Sequence, residues 1–158
     1  MKQIISRDTP LAEVCLRKYE KPYNLNKREL IRKLCLSLGL LQPGDSRDVV
    51  VDVLYVMLQQ NKEISSEHVR EKVVEFREAE KLPMLGIASS NIRRQLKRLR
   101  EIYLIEKVKN NYRVTENATL TEIFNEKLET FLLPSILGRM KEYLEEVDKE
   151  FKLRAEKE

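Results

Sequence analysis

Apolar residues three and four positions apart recur along most of this chain, the spacing that puts side chains on one buried helix face. A first helix is predicted from Asp8 or Thr9 as N-cap, with Pro10 at the first helical position. Its narrow stripe is Leu11, Val14, Cys15 and the alkyl stem of Lys18, and Pro22 ends it. A second helix begins after Asn26, with Glu29 three residues on as a capping-box pair. Leu30, Ile31, Leu34, Cys35 and Leu38 form its stripe, and Gly39 suits the left-handed residue that follows a helix end. Gln42-Pro43-Gly44-Asp45-Ser46 is the clearest linker in the chain.

Arg47 to Gln60 carries two signals. Val49, Val50, Val51 and Val53 favour a strand by propensity. Val50, Val53, Leu54, Met57 and Leu58 fit a helical period over a long segment, with Ser46 or Asp48 as cap, and helix is the expectation. Ser66 to Lys81 is a fourth expected helix, with Val69, Val73, Phe76 and Glu80 on one face. Pro83 and Gly86 then force a loop before Ser89-Ser90-Asn91-Ile92-Arg93-Arg94-Gln95-Leu96-Lys97-Arg98-Leu99-Arg100. On a wheel of about 100° per residue, Ile92, Leu96, Leu99 and Tyr103 cluster as a buried stripe. Ser90, Asn91, Arg94, Lys97 and Arg98 lie opposite, flanked by Arg93 and Gln95, and Ser89 or Ser90 is the expected cap. Helix, short loop, basic helix is the layout of a helix-turn-helix.

Two strands are expected next, Leu104 to Lys109 and Tyr112 to Glu116, joined by a hairpin turn at Asn110-Asn111 because Asn tolerates positive φ. Lys107, Lys109 and Arg113 put charge near the tip. Beyond it, Leu120, Ile123, Phe124, Leu128 and Phe131 stripe a helix that reaches Leu133, and Pro134 is expected to start a new one. Leu137, Met140, Leu144, Val147 and Phe151 then recur at 3, 4, 3, 4 spacing, a heptad seam. That seam either packs on the protein's own core or joins two copies; a dimer is the favoured expectation.

Charge sharpens this picture. The chain is +4 overall, but residues 89–113 alone hold eight bases and two acids. Residues 1–42 are +5, 43–88 are −3, and 114–158 are −4. No acid stands between Ser89 and Arg100, and the first acid after this basic run is Glu101. Such a face repels itself and suits an anionic polymer better than plain solvent. Arg, Asn and Gln pair bidentately with base edges in the major groove. Arg28, Arg32 and Lys33 either add phosphate contacts or brace the core, and bracing is favoured.

Composition narrows the classes. The charged fraction of 35% fits a heat-adapted protein or an ordinary solvated helical one. No run approaches the roughly 20 apolar residues of a membrane span. Lys2, Arg7 and Asp8 argue against a secretory leader, so a cytoplasmic protein is expected. Cys15 and Cys35 read as two buried free thiols, a disulfide being the alternative. With His68 as lone histidine and no Cys-x-x-Cys, neither metal nor cofactor is expected. No Gly-rich phosphate loop and no nucleophile with a base argue for an enzyme.

The run from Ile92 to Lys107 followed by Tyr112-Arg113-Val114-Thr115 resembles the recognition helix and wing of winged helix-turn-helix transcription regulators of prokaryotic and archaeal type. The resemblance implies that Ser90, Asn91, Arg94, Lys97 and Arg98 face a DNA groove and that Asn110 and Asn111 tip the wing. Two departures stand out. Tyr103 replaces a usual Gly, implying a differently built helix end, and Ser66 to Ala88 is longer than a compact helix plus turn. The expected fold class is mainly α with a small β-hairpin wing. Its parts are an N-terminal helical extension over 1–45, a winged helix-turn-helix core over 46–117 and C-terminal dimerisation helices over 118–158. The expected function is a homodimeric regulator of transcription that binds double-stranded DNA. Its expected DNA contacts are Ser90, Asn91, Arg93, Arg94, Lys97, Arg98, Lys107, Lys109, Asn110, Asn111 and Arg113, and its seam is Leu137, Met140, Leu144, Val147 and Phe151. The competing expectation is a winged-helix module that binds protein in a transcription or chromosome-maintenance assembly.

Overall fold

In a computed structural model that describes residues 7–60 and 62–154, α1 (Lys27–Ser37) leads through a loop into α2 (Val49–Gln59). Then come β1 (Ile64–Ser65), α3 (Ser66–Ala79), α4 (Ser89–Glu101) and a hairpin of β2 (Ile105–Val108) and β3 (Asn111–Val114). A 3-10 turn (Thr115–Asn117) leads to α5 (Leu120–Ile123), which continues as a π-helical run (Phe124–Leu132) and α6 (Leu133–Glu150). The protein is therefore mainly helical with one small antiparallel sheet, in strand order β1-β3-β2.

The valine-rich segment is a helix because tertiary burial overrides its β propensity. Val50, Val53, Leu54 and Met57 are buried as the period predicts, but so are Val49, Val51 and Val56. α2 is enclosed by α1, α3, α4 and β3, so its whole circumference is core. Each such side chain contributes about 1.5–3 kcal/mol of apolar burial. Cys35, Leu36, Leu40 and Leu41, from α1 and the loop after it, belong to the same core.

One residue of α2 breaks its apolar character. Asp52 is fully buried and is met by Arg77 of α3, itself 2% exposed, and by Arg28 of α1. Arg28 Nε donates to Asp52 at 3.0 Å and its NH2 to Asp48 at 3.1 Å. Arg77 donates to Asp52, to Asp48 at 3.3 Å and, through Nε, to the Pro83 carbonyl at 2.9 Å. Two carboxylates thus face two guanidiniums across three helices. Burial pulls the Arg28 guanidinium down, but its bonds to Asp52 and then Asp48 outweigh that and hold it above its ordinary value. Asp48 stands at the N-cap of α2 as expected, yet its side chain serves this cluster and makes no cap bond. Arg77 takes the buried side of α3 in place of the expected Glu80, which is exposed.

The first predicted helix is not formed. Thr9 to Asn26 is irregular chain wrapped on α1, and Cys15 is exposed rather than buried. Arg17 explains the change. Its backbone N–H donates to the Ser37 carbonyl at 2.8 Å, and its guanidinium donates to Leu36 at 2.7 Å, to Leu41 at 3.2 Å and to Gln42 Oε1 at 2.7 Å. Ser37 and Leu36 close the end of α1 and Leu41 and Gln42 lie in the loop after it, so the segment gains more as a strap over that end than as a short isolated helix. Cys15 lies against Gly39, which takes φ +73. α1 itself begins as predicted, with the reciprocal Asn26–Glu29 capping box.

The predicted break at Pro134 does not occur. α5, the π-helical run and α6 form one continuous helix, with helical dihedrals through Leu132 and Leu133. Pro134 lacks an N–H for either ladder and sits where the i→i+5 pattern gives way to i→i+4. The wider turn also shifts the buried stripe. Ile123, Leu128 and Leu132 are buried, while Phe131, expected on that stripe, is 60% exposed and touches only the edge of the Tyr103 ring among aromatics. From Pro134 onward α6 buries no residue. Among the described residues no helix is long and apolar enough to cross a membrane.

Candidate nucleic-acid interface

α4 sits on the core through Ile92, Leu96 and Leu99, all fully buried. Its outer face follows from that anchoring by helical geometry. Ser90, Arg93, Arg94, Lys97 and Arg100 are exposed, and among the described residues none of them is held by an ion pair. The cap differs from expectation: Ala88, not Ser89 or Ser90, is the N-cap, and it makes no side-chain bond. The start of the helix is held instead by Asn91, whose Nδ2 donates to the Gly86 carbonyl at 2.7 Å. Gly86 takes φ +78 there, a conformation glycine adopts freely.

A polar string then runs along one edge of α4. Gln95 donates to Asn91 at 3.1 Å and accepts from Arg98 at 2.8 Å. Arg98 also donates to the Leu40 carbonyl at 2.6 Å. Asn91, Gln95 and Arg98 are therefore half-buried and engaged with the protein, so the outward set contracts to Ser90, Arg93, Arg94 and Lys97 and gains Arg100. The carbonyl of Leu40 is a tertiary partner, and no spacing within the helix signals it.

The end of α4 is a Schellman motif. Tyr103 N–H donates to Arg100 at 2.9 Å and Leu104 N–H to Leu99 at 3.1 Å. Tyr103 takes φ +66, so it adopts the conformation a glycine would. The helix end is thus built in the glycine manner despite the substitution. Thr115 Oγ1 donates to the Tyr103 carbonyl at 2.7 Å and ties this turn to the end of the hairpin.

β2 pairs with β3 from Ile105↔Val114 to Val108↔Asn111. The turn is therefore Lys109-Asn110, one residue earlier than expected, with Lys109 at φ +59. Asn111 is a strand residue, paired on its other side with Ser65 of β1, and does not tip the hairpin. The unpredicted β1 is short but joins the hairpin to the start of α3. Lys107, Lys109 and Asn110 are exposed. Lys107 lies over the Tyr112 ring at 5.7 Å. Arg113 is half-buried and donates to Glu106 at 2.7 Å. The Glu116 N–H, then Arg113, hold the Glu106 carboxyl below its ordinary range against the opposing effect of burial. Between α4 and the hairpin lies an open cleft of about 470 Å³ of mixed charge, lined by Lys97, Arg100, Lys107 and Lys127 and by Glu101, Glu106 and Glu116.

Among the described residues no cluster of three or more metal-ligating side chains is present, and His68 is exposed near the start of α3. No family model, no curated protein and no solved structure matches this chain.

Proposed function

We propose that the chain is a winged helix-turn-helix protein that binds double-stranded DNA as a dimer and regulates transcription, with α4 as its recognition helix and the β2–β3 hairpin as its wing. The observation that carries this reading is the outer face of α4. Arg93, Arg94, Lys97 and Arg100 project from a helix fixed to the core by three fully buried residues, with no acidic partner among the described residues. Order and direction support it: α3, a loop, basic α4 and then a hairpin with Lys107 and Lys109 on the same run of chain. Arg93 and Arg94 have the donors for base edges or phosphates, while Lys97, Arg100 and the hairpin lysines suit phosphates. Arg98 and Asn91 serve a different purpose in this reading, since they hold α4 in place.

The test is fluorescence anisotropy of labelled duplex DNA across a salt series. The triple variant Arg93→Ala, Arg94→Ala, Lys97→Ala is expected to weaken binding at least tenfold and to flatten the salt slope by about 0.9 for each phosphate no longer neutralised. All three residues are exposed, so folding is untouched. Unchanged affinity and slope would reject DNA as the partner of this face.

A further inference from the structure

We infer that α6 is a docking surface for a second copy of this chain, and that the two α6 helices pair antiparallel. This rests on the dimeric part of the reading above and stands whether or not α4 binds DNA. Leu137, Met140, Leu144, Val147 and Phe151 are 57, 53, 55, 47 and 73% exposed, an apolar stripe with no cover among the described residues. The helix that carries it is rooted in the body through the buried Ile123, Leu128 and Leu132, so the stripe is held out on a fixed mount. Its 3, 4, 3, 4 spacing is the period that packs against an identical helix, knobs into holes. At about 1.5 Å per residue, the 18 residues of α6 give a helix of roughly 27 Å along which the stripe runs.

Charge selects the direction. From Leu133 to Lys141 the helix carries two bases, Arg139 and Lys141, and no acid, with Arg139 also paired to Glu142 of its own helix at 2.7 Å. From Glu142 to Glu150 it carries five acids against Lys149 alone. Paired helices lie about 8–10 Å apart, within roughly one Debye length at physiological salt. A parallel pair sets the two acidic halves side by side. An antiparallel pair sets each acidic half beside the partner's basic half and also opposes the helix dipoles. The same arrangement satisfies the stripe in one register: Leu137 opposite the partner's Val147, Met140 opposite the partner's Leu144, and Leu133 at the layer of the partner's Phe151. Tyr143, 68% exposed at the edge of the stripe, then lies beside its own copy at the two-fold axis.

The experiment uses the full chain. Light scattering at tens of micromolar reads the mass, and Leu144→Glu is expected to convert dimer to monomer with an unchanged far-UV circular dichroism spectrum, because Leu144 is 55% exposed on a helix that buries no residue. Direction is read by oxidative cross-linking in a Cys15→Ser background, Cys35 being buried. Leu137→Cys alone and Val147→Cys alone are expected to stay uncross-linked, and an equal mixture of the two is expected to form the disulfide dimer. A monomeric wild type overturns dimerisation and this inference together. A dimer in which each single variant cross-links to itself overturns the antiparallel arrangement only, and a dimer that survives Leu144→Glu places the contact elsewhere.

Discussion

Replacing Arg77 with Ala is expected to destabilise the fold by about 3–5 kcal/mol, the usual cost of removing one partner from a buried ion pair. The cluster around Asp52 is balanced, two guanidiniums against two carboxylates, and its centre is closed to solvent: Arg77 is 2% exposed and Asp52 0%. Without Arg77, Arg28 alone faces Asp48 and Asp52, so one negative charge stays unbalanced between α1, α2 and α3. The Pro83 carbonyl loses its donor as well, which loosens the loop that leads to α4. Against a total stability of roughly 5–15 kcal/mol this is a large fraction. At about 2–4 °C per kcal/mol for a domain of this size, the melting temperature drops by roughly 6–20 °C. Urea unfolding followed by far-UV circular dichroism measures it directly. The double variant Arg77→Met with Asp52→Asn removes charge of both signs and is expected to cost less than the two single variants added together. A loss below about 1 kcal/mol for Arg77→Ala, or single-variant losses that merely add, would refute the argument that charge balance holds this cluster.

The two glycines at opposite ends of the chain predict opposite signs. Gly39→Ala should cost more than about 1–2 kcal/mol, because φ is +73 and the new Cβ would stand 2.5 Å from the Cys15 Cβ. Gly138→Ala should stabilise by about 0.5–1 kcal/mol, since it lies inside α6 with nothing within 4 Å; urea midpoints read both. Thiol labelling of the native protein should modify Cys15 and spare Cys35 until the chain unfolds, because Cys35 is fully buried. Burial pushes the Cys35 thiol up to about 12. Its contribution is therefore intact below the unfolded thiol's value of about 8.5 and is lost as pH rises from there toward about 12. A Cys35→Ala variant should lose that alkaline dependence, and an unchanged pH profile would contradict it.

Where the sequence read well, the information was local. The capping box at Asn26 and Glu29, the stripe of Ile92, Leu96 and Leu99, and the exposure of Arg93, Arg94 and Lys97 all follow from spacing within one helix. Helix ends were less legible. Schellman turns close α1, α3, α4 and α6, yet only the first has glycine in its left-handed position; Lys81, Tyr103 and Lys152 fill the others. The hairpin is legible but its turn is displaced by one residue, because pairing of Asn111 with both Val108 and Ser65 decides the register.

By itself the sequence determined which segments are amphipathic, where positive charge concentrates, and that the last long helix carries a heptad stripe, since each depends on periodicity along one element. Tertiary structure alone decided the partners that lie far away in the chain. Arg17 finds the Leu36 and Ser37 carbonyls at the end of α1, Arg77 and Arg28 find Asp52, and Arg98 finds the Leu40 carbonyl 58 residues away. The physical reason is the same in each case. A buried polar group must be satisfied, and which group satisfies it depends on the three-dimensional neighbourhood, which sorts the basic residues of this chain into those that hold the fold and those left to face a partner.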